Sequence, residues 1–243
     1  MSMPVAEKQV RHADIAFCLD ITASMQPGID ALKQSIREFV EVKLQRSVTI
    51  DARLALIGFR NKHEEGASQY LPGKKVCEEE WVQKDFTESP TIFLDWLDGI
   101  NAVGGGIETP YDPNDAPESA LDAIYIAIHQ LNWREHKCHR VIVLLTDSDT
   151  RRTLHETTYK RPDNGIERVI QDLQTMNHAA LYIYVPKTES YVRLEKGMGS
   201  ADRNIVALFI DDDKMAFDVD RFDKLLEMIS QSVTETVLSE NAN

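Results

Sequence analysis

The sequence has few cysteines, no secretion signal and no long apolar run. Its three cysteines, Cys18, Cys77 and Cys138, are odd in number and include no C-x-x-C pair, which argues against a disulfide framework and favours reduced thiols. The first 14 residues lack the apolar segment of a signal peptide, and no uncharged apolar run approaches the about 20 residues that span a bilayer. We therefore expect a soluble, cytoplasmic protein.

The chain also lacks an excess of positive charge. It carries 27 Lys and Arg against 40 Asp and Glu, a formal net charge of -13. Nucleic-acid phosphates and anionic membrane surfaces repel such a chain unless basic residues are clustered, and the sequence shows no basic cluster. We therefore expect no nucleic-acid partner and no membrane partner.

Five apolar runs rich in β-branched residues are present, and polar residues bound each of them. Near-continuous apolar strands are typical of parallel sheets that are covered on both faces. The runs are ADIAFCLD (13–20), ARLALIGF (52–59), RVIVLLTD (140–147), AALYIYVP (179–186) and NIVALFID (204–211).

Helical patterns alternate with these runs. Apolar residues recur with helical spacing over 29–44, after Pro117, and near the C-terminus. Strands that alternate with amphipathic helices predict an α/β fold with a doubly wound, mostly parallel sheet and helices on both faces. We predict one domain over 12–238, flexible termini at 1–11 and 239–243, and one short antiparallel edge strand around Lys75–Trp81. The apolar helical positions are Ile29, Leu32, Ile36, Val40 and Leu44; Ala120, Leu121, Ile124, Ile128 and Leu131; and Phe222, Leu225, Leu226, Ile229 and Val233.

Three polar clusters follow strands or precede helices. Asp20, Thr22 and Ser24 end the first run, a glycine-rich segment occupies 104–118, and Thr-Asp-Ser-Asp at 146–149 follows the third run. Ligands of open α/β sheets bind outside the carboxyl ends of the strands. Mg²⁺ prefers hard oxygen ligands and uses only one or two carboxylates. These clusters predict a magnesium site, which Mn²⁺ or Ca²⁺ could also occupy.

The motifs LDITASM, VGGG, DAPESALDAI and VIVLLTDSD occur in this order, and together they resemble a von Willebrand factor A domain with its metal-ion-dependent adhesion site. Within that superfamily, the run KDFTESPTIFLDWLDGINAVGGG, followed by DAPESALDAI and LNW, is similar to the A domains found beside α-type protein kinases. The resemblance covers roughly 12–230 and implies a Rossmann-like fold.

The resemblance also implies ligand roles. Thr22 and Ser24 would give their hydroxyls to the metal, and Asp20 and Asp147 would act on it directly or through water. A fifth oxygen would come from the glycine-rich segment, where an insertion leaves Asp115, Glu108 or Thr109 as candidates; Asp115 is preferred because DAPESALDAI continues the family pattern. The metal would then bind an acidic residue of a partner protein without breaking a bond. Beside it, Glu108, Thr109, Ser148 and Asp149 are expected to contact that partner.

By the same family analogy, a kinase or phosphatase is an expected partner, in a signalling or regulatory complex. The chain contains no glycine-rich nucleotide loop followed by a lysine strand, so we expect it to have no enzyme activity of its own. A purely structural domain whose metal site is lost is a further alternative, because the insertion alters the glycine-rich segment. The third motif also departs from the family pattern, with Ser148 where many members have glycine.

Each cluster also has a structural interpretation. Asp20, Thr22 and Ser24 are typical of a turn with a helix cap. Asp115 and Glu118 have the spacing of a capping box, with Glu118 at the third helical position. The zinc-like HKCH at 136–139 lacks further ligands at a recognised spacing and is better explained as a polar lead-in to a strand.

An enzymatic alternative rests on the D-x-D spacing of Asp147 and Asp149. Together with Asp20, these carboxylates could hold Mg²⁺ for phosphotransfer or nuclease chemistry of the Toprim type. The absence of a Glu at the end of the first strand and the acidic composition both weigh against this alternative.

Overall fold

The computed structural model describes residues 11–44, 50–60, 81–102, 118–135, 138–156, 158–163, 165–199, 204–210 and 219–240. Six strands lie in this part of the chain: β1 (Arg11–Asp20), β2 (Ile50–Phe59), β3 (Val82–Thr87), β4 (Cys138–Leu145), β5 (Ala179–Pro186) and β6 (Asn204–Ile210). The α-helices are α1 (Gln26–Glu38), α2 (Pro90–Asp98), α3 (Ala120–Gln130), α4 (Ile166–Thr175), α5 (Glu189–Met198) and α6 (Val219–Glu240). A 3-10 turn (Ala23–Met25) precedes α1, and a π-helical segment (Phe39–Leu44) continues it.

The strands form one sheet in the order β3-β2-β1-β4-β5-β6. The neighbouring strands pair in parallel except for β3, which runs antiparallel to β2 at one edge. The predicted fold class, a doubly wound, mostly parallel sheet with one antiparallel edge strand, is confirmed. The strand order reverses between β1 and β4, and this switch point is where open α/β sheets bind their ligands.

Strand β1 is in the centre of the sheet and is covered on both faces. Ala13, Ile15, Phe17 and Leu19 pack into one apolar core, while Ala16 and Cys18 pack into the core on the opposite face. This two-sided burial explains why the strand reads as an almost continuous apolar run. It also makes Cys18 a core residue with no exposed surface.

The helices form two layers around the sheet. The apolar faces of α1, α2 and α6 contribute to the first core, and those of α3, α4 and α5 contribute to the second. The periodicity found in the sequence for the C-terminal helix is confirmed, because all five of its apolar positions are buried. They are Phe222, Leu225, Leu226, Ile229 and Val233.

The antiparallel edge strand lies farther along the chain than predicted. It occupies Val82–Thr87, whereas Lys75–Trp81 was expected; of the expected span, only Trp81 lies among the described residues, and it is not in the strand. Contacts with residues distant in the sequence anchor the observed strand. The Phe86 ring lies 4.7 Å from that of Trp133, and the Arg53 guanidinium lies over the Phe86 ring, 4.9 Å from its centroid. Partners so distant in the sequence leave no local signal.

The ends of the domain differ slightly from the predicted limits. Arg11 already belongs to β1, and α6 continues through Ser239 to Glu240. Within the described ranges, no helix combines the length and the apolar character that crossing a membrane requires.

Candidate metal centre

The carboxyl end of β1 places Asp20 in the interior with none of its surface exposed. Its Oδ1 atom accepts hydrogen bonds from the Thr22 backbone N–H, at 2.9 Å, and from the Thr22 hydroxyl, at 2.7 Å. The Thr22 hydroxyl also lies 3.0 Å from the Ser24 hydroxyl. The alternate spacing in the sequence therefore puts three oxygen-bearing side chains in one connected group.

Strand β4 brings a second group to the same place. The Ser24 hydroxyl donates to Asp147 Oδ1 at 3.1 Å, and the Thr146 hydroxyl donates to Asp20 Oδ2 at 2.6 Å. Because β1 and β4 are parallel neighbours, residues just beyond their ends meet across the switch point. The structure thus brings together Asp20, Thr22, Ser24 and Asp147, four of the five predicted metal ligands.

The hydroxyls of this group are not used as helix caps. Thr22 precedes the 3-10 turn and Met25 precedes α1, and neither side chain makes a capping hydrogen bond. Asp20 does close a local turn through the Thr22 N–H, so the turn interpretation is right while the helix-cap interpretation is wrong. The hydroxyls instead face carboxylates, the arrangement that an oxygen-ligated cation needs.

Thr146 belongs to the polar cluster at 146–149, but the sequence analysis gave this threonine no role of its own in the site. Its backbone N–H donates to the Tyr184 carbonyl of β5 at 3.2 Å, which continues the sheet past β4. Its hydroxyl accepts from the Ser148 N–H at 3.1 Å and donates to Asp20. Thr146 therefore orients the Asp20 carboxyl from the β4 side.

Glu118 does not lie where the capping-box interpretation of the sequence placed it. The predicted capping box is wrong here: α3 begins at Ala120, and Glu118 precedes its N-cap, Ser119. Glu118 pairs with Thr150 as an isolated parallel bridge, with its N–H bonded to the Asp149 carbonyl at 2.8 Å. This bridge fixes the segment before α3 against the loop after β4, and only 4% of Glu118 is exposed.

The buried carboxyls destabilise one another's charged forms. Burial raises the pKa of Asp20 from its ordinary 3.8 to about 6, against hydrogen bonds from Thr146 and Thr22 that lower it. Burial and the negative charges of Asp20 and Asp147 raise the pKa of Glu118 to about 9. Burial also raises the pKa of Asp147. A divalent cation nearby would stabilise the ionised forms of these three carboxyls, whose pKa values are raised without it.

Ser148 and Asp149, expected to contact a partner, are held by α5 and the loop before it. The Asp149 Oδ1 atom accepts from the Thr188 hydroxyl at 2.6 Å and from the Thr150 N–H at 2.8 Å. The Ser148 carbonyl accepts from the buried Tyr191 hydroxyl at 3.2 Å. The bonds of the Asp149 side chain therefore tie the loop after β4 to the start of α5.

The remaining candidates of the sequence analysis are either outside the described residues or buried in β4. Glu108, Thr109 and Asp115 lie outside the described residues. Cys138 and His139 of the HKCH segment are buried in β4. His139 Nε2 lies 2.9 Å from the hydroxyl of Ser232 in α6, so the histidine joins a strand to a helix. The strand β4 begins at Cys138 and so includes the last two residues of the predicted polar lead-in.

The donor set fits a hard cation because every side chain in it offers oxygen. Within the described residues, no three His, Cys, Asp or Glu side chains converge into a metal-binding group, so carboxylates alone do not make the site. Asp20, Thr22, Ser24 and Asp147 would have to share the cation between hydroxyls and carboxylates. The half-buried Asp147 and the exposed Ser24 give this group an open side.

The raised pKa of Glu118 predicts how the metal-free protein responds to pH. The folded protein holds this proton up to about pH 9, whereas the unfolded chain releases it near the ordinary value of 4.5. The resulting stability is complete below the lower value and is lost as pH rises through the higher one, by at most ~1.4 kcal/mol per pH unit. Glu118→Gln, which cannot ionise, is therefore expected to flatten the fall in unfolding free energy between about pH 6 and pH 9.

Urea unfolding in the presence of a chelator, repeated across this pH range, measures the effect. The control is Glu38→Gln, which changes an exposed glutamate of α1 and should leave the pH dependence as it is in the wild type. An identical slope for the wild type and Glu118→Gln would contradict the raised pKa.

Compared with known proteins, this chain matches no family model and no curated protein sequence.

Proposed function

We propose that this chain is a non-enzymatic protein-binding domain that captures an acidic residue of a partner through a divalent cation. Asp20, Thr22, Ser24 and Asp147 would hold the cation, with Mg²⁺ the first candidate. One observation carries the proposal: a continuous chain of hydroxyl and carboxyl oxygens, each within 3.1 Å of the next, that runs from the end of β1 to the end of β4.

The composition of the site favours binding over bond cleavage. Two of the four proposed ligands are neutral hydroxyls, so a cation held by them keeps much of its positive charge and retains affinity for one more anionic oxygen. Ser24 is exposed, whereas Asp20 and Thr22 are buried. A partner carboxylate would therefore approach from the Ser24 side, and no catalytic group is needed for the capture.

The position of Asp149 favours this function over a Toprim-type enzyme. Such an enzyme would use the Asp149 carboxylate with Asp20 and Asp147 to hold the metal. Here the Asp149 Oδ1 atom accepts two hydrogen bonds from Thr188 and Thr150, while the bonds that link the ends of β1 and β4 run through Thr22, Ser24 and Thr146.

The identity of the domain belongs to the same proposal. Two of the motifs that resemble a von Willebrand factor A domain, LDITASM and VIVLLTDSD, lie where β1 and β4 end, at the switch point of a doubly wound sheet. We propose that the chain is such an A domain and acts in the cytoplasm, in a signalling or regulatory complex with a kinase or phosphatase.

A pair of peptide libraries tests the capture of an acidic residue. In the first library every peptide carries one fixed Glu, and in the second a Gln replaces it. The immobilised wild type is expected to enrich peptides from the Glu library in Mg²⁺, to lose them in a chelator, and to enrich none from the Gln library. Ser24→Ala should enrich none in either condition, while Thr91→Ala, which removes an exposed hydroxyl near the start of α2, serves as the control and should behave like the wild type. Equal enrichment from both libraries, or enrichment that the chelator does not reverse, would rule out metal-bridged capture.

A further inference from the structure

Arg60 follows the last residue of β2 and contacts two loops of the candidate metal centre. Its Nε atom donates to the Ile21 carbonyl at 3.0 Å, and its Nη2 atom donates to the Asn101 carbonyl at 3.3 Å. Ile21 lies between Asp20 and Thr22, and Asn101 follows α2. A single guanidinium thus joins the loop that carries the first metal motif to the chain that leads toward the glycine-rich segment.

Close packing holds Ile21 against the end of β2. The Ile21 N–H donates to the Phe59 carbonyl at 2.9 Å, and its side chain is 2% exposed. A Cβ atom at Gly58 would lie 3.1 Å from Ile21 Cδ1, so the glycine permits this approach. Ile21 is therefore fixed on both its N–H and its carbonyl side, and its neighbours Asp20 and Thr22 have little freedom to reorient.

The charge of Arg60 also reaches the buried carboxyls. The pKa of Glu118, which burial and the neighbouring carboxylates raise, is moderated by the positive charges of Arg151 and Arg60. Arg60 therefore contacts the loop after β1 and the turn after α2, and its positive charge also favours the ionised form of Glu118.

Lys33 of α1 provides a natural comparison. Its ammonium group donates to the carbonyls of Ile100 and, at 3.2 Å, Asp98, so it holds the same turn after α2 as Arg60 does. Among the described residues, Lys33 donates to the turn after α2 and makes no hydrogen bond to the loop after β1. If metal affinity depended only on fixing the turn, replacing Lys33 and replacing Arg60 would lower it equally. If it depends on joining the turn to the first metal-binding loop, only the replacement of Arg60 would lower it.

We infer that Arg60 is a positioning residue for the metal centre, holding the first metal-binding loop in register with the loop that follows α2. This inference rests on the proposed function, since it assigns a role toward the same cation. The guanidinium suits the task because its planar fork directs separate N–H groups to separate carbonyls, which a single ammonium does less well. Residues that orient metal ligands change metal affinity by about 10- to 100-fold when they are replaced.

The test is a Mn²⁺ titration of the full chain, followed by electron paramagnetic resonance, on the wild type, Arg60→Met, Arg60→Lys and Lys33→Met. Arg60→Met is expected to weaken Mn²⁺ binding by about 10- to 100-fold. Arg60→Lys keeps the charge without the fork and should lose an intermediate amount, roughly 3- to 10-fold. Lys33→Met should stay within about threefold of the wild type.

The spectrum of the bound ion separates positioning from general destabilisation. At saturating Mn²⁺, Arg60→Met should show broadened lines from mixed coordination, and Lys33→Met should show the wild-type spectrum. If Arg60→Met does not fold, Arg60→Lys alone decides, and wild-type affinity in that variant overturns the inference.

The titration distinguishes a failure of the positioning role from a failure of the metal site itself. Wild-type binding that Arg60→Met leaves intact, or that Lys33→Met weakens equally, removes the positioning role alone. A wild type that binds no Mn²⁺ removes the proposed metal site and the role of Arg60 with it.

Discussion

Replacing Asp20 with asparagine is expected to stabilise the metal-free protein and to abolish its affinity for divalent cations. The Asp20 carboxyl is fully buried, and the hydrogen bonds it accepts come from Thr22 and Thr146. Its pKa of about 6 against an ordinary 3.8 means that its ionised form destabilises the fold at neutral pH by about 3 kcal/mol. Asparagine keeps the size and one acceptor oxygen but carries no charge.

The sign of this effect follows from the direction of the pKa shift. The folded protein binds the Asp20 proton more tightly than the unfolded chain does, so its contribution to stability is largest in acid and is lost as pH rises through about 6. Above that pH, Asp20→Asn should raise the melting temperature by roughly 6–12 °C. The same change should weaken cation binding by more than about 100-fold, the upper end of the range for residues that merely orient ligands.

Calorimetry in a chelator and again in excess Mg²⁺ measures both parts. Asp30→Asn is the matched control, because Asp30 is an exposed aspartate of α1 and should alter neither quantity. A lower melting temperature for Asp20→Asn in chelator would contradict the charge strain at Asp20. Stabilisation by Mg²⁺ equal to that of the wild type would show that Asp20 does not hold the cation.

Replacing Asp14 with asparagine is expected to have the opposite effect on stability. Asp14 lies in the same strand and is equally buried, but it accepts from Arg53 Nε and Nη2 at 2.9 and 2.6 Å and from the Arg134 N–H at 2.8 Å. Its removal leaves the largely covered Arg53, 18% exposed in its side chain, without its carboxylate. We expect a loss of about 3 kcal/mol, as for other buried ion pairs that lose one partner.

Urea unfolding compares Asp14→Asn with Asp51→Asn. Asp51 pairs with Arg134 but has 39% of its side chain exposed, so its replacement should cost less than about 1 kcal/mol. Asp14 and Asp20 are six residues apart along a strand, about 20 Å, and Asp14→Asn should therefore keep wild-type Mn²⁺ affinity. Equal losses for the two variants would show that burial does not strengthen the Asp14 pair.

The sequence predicted the sheet because its strands are buried on both faces and its helices have one apolar face. It predicted that Asp20, Thr22, Ser24 and Asp147 meet because the ends of adjacent parallel strands lie at the same edge of a sheet. The edge strand was misplaced because β3 carries Gln83, Lys84 and Asp85 and is defined by its partners Phe86–Trp133 and Arg53, not by an apolar run.

The positions and contacts of Glu118 and Arg60 could not be predicted from the pattern of residues. The capping-box spacing placed Glu118 inside a helix that in fact begins at Ala120, and its bridge to Thr150 joins residues far apart in the chain. The partners of Arg60 are backbone carbonyls, which every residue possesses and which therefore leave no mark on the sequence. Both residues are found only when the loops are placed in three dimensions.

A Mn²⁺ titration followed by electron paramagnetic resonance on the wild type, Ser24→Ala and Asp149→Ala tests the central claim most directly. Ser24 is exposed, so its truncation removes a proposed hydroxyl ligand without opening the core, while Asp149 is bonded to Thr188 and Thr150. We predict that the wild type and Asp149→Ala bind Mn²⁺ and that Ser24→Ala does not. Binding that survives in Ser24→Ala and disappears in Asp149→Ala, or a wild type that binds no Mn²⁺, would contradict the proposed metal centre.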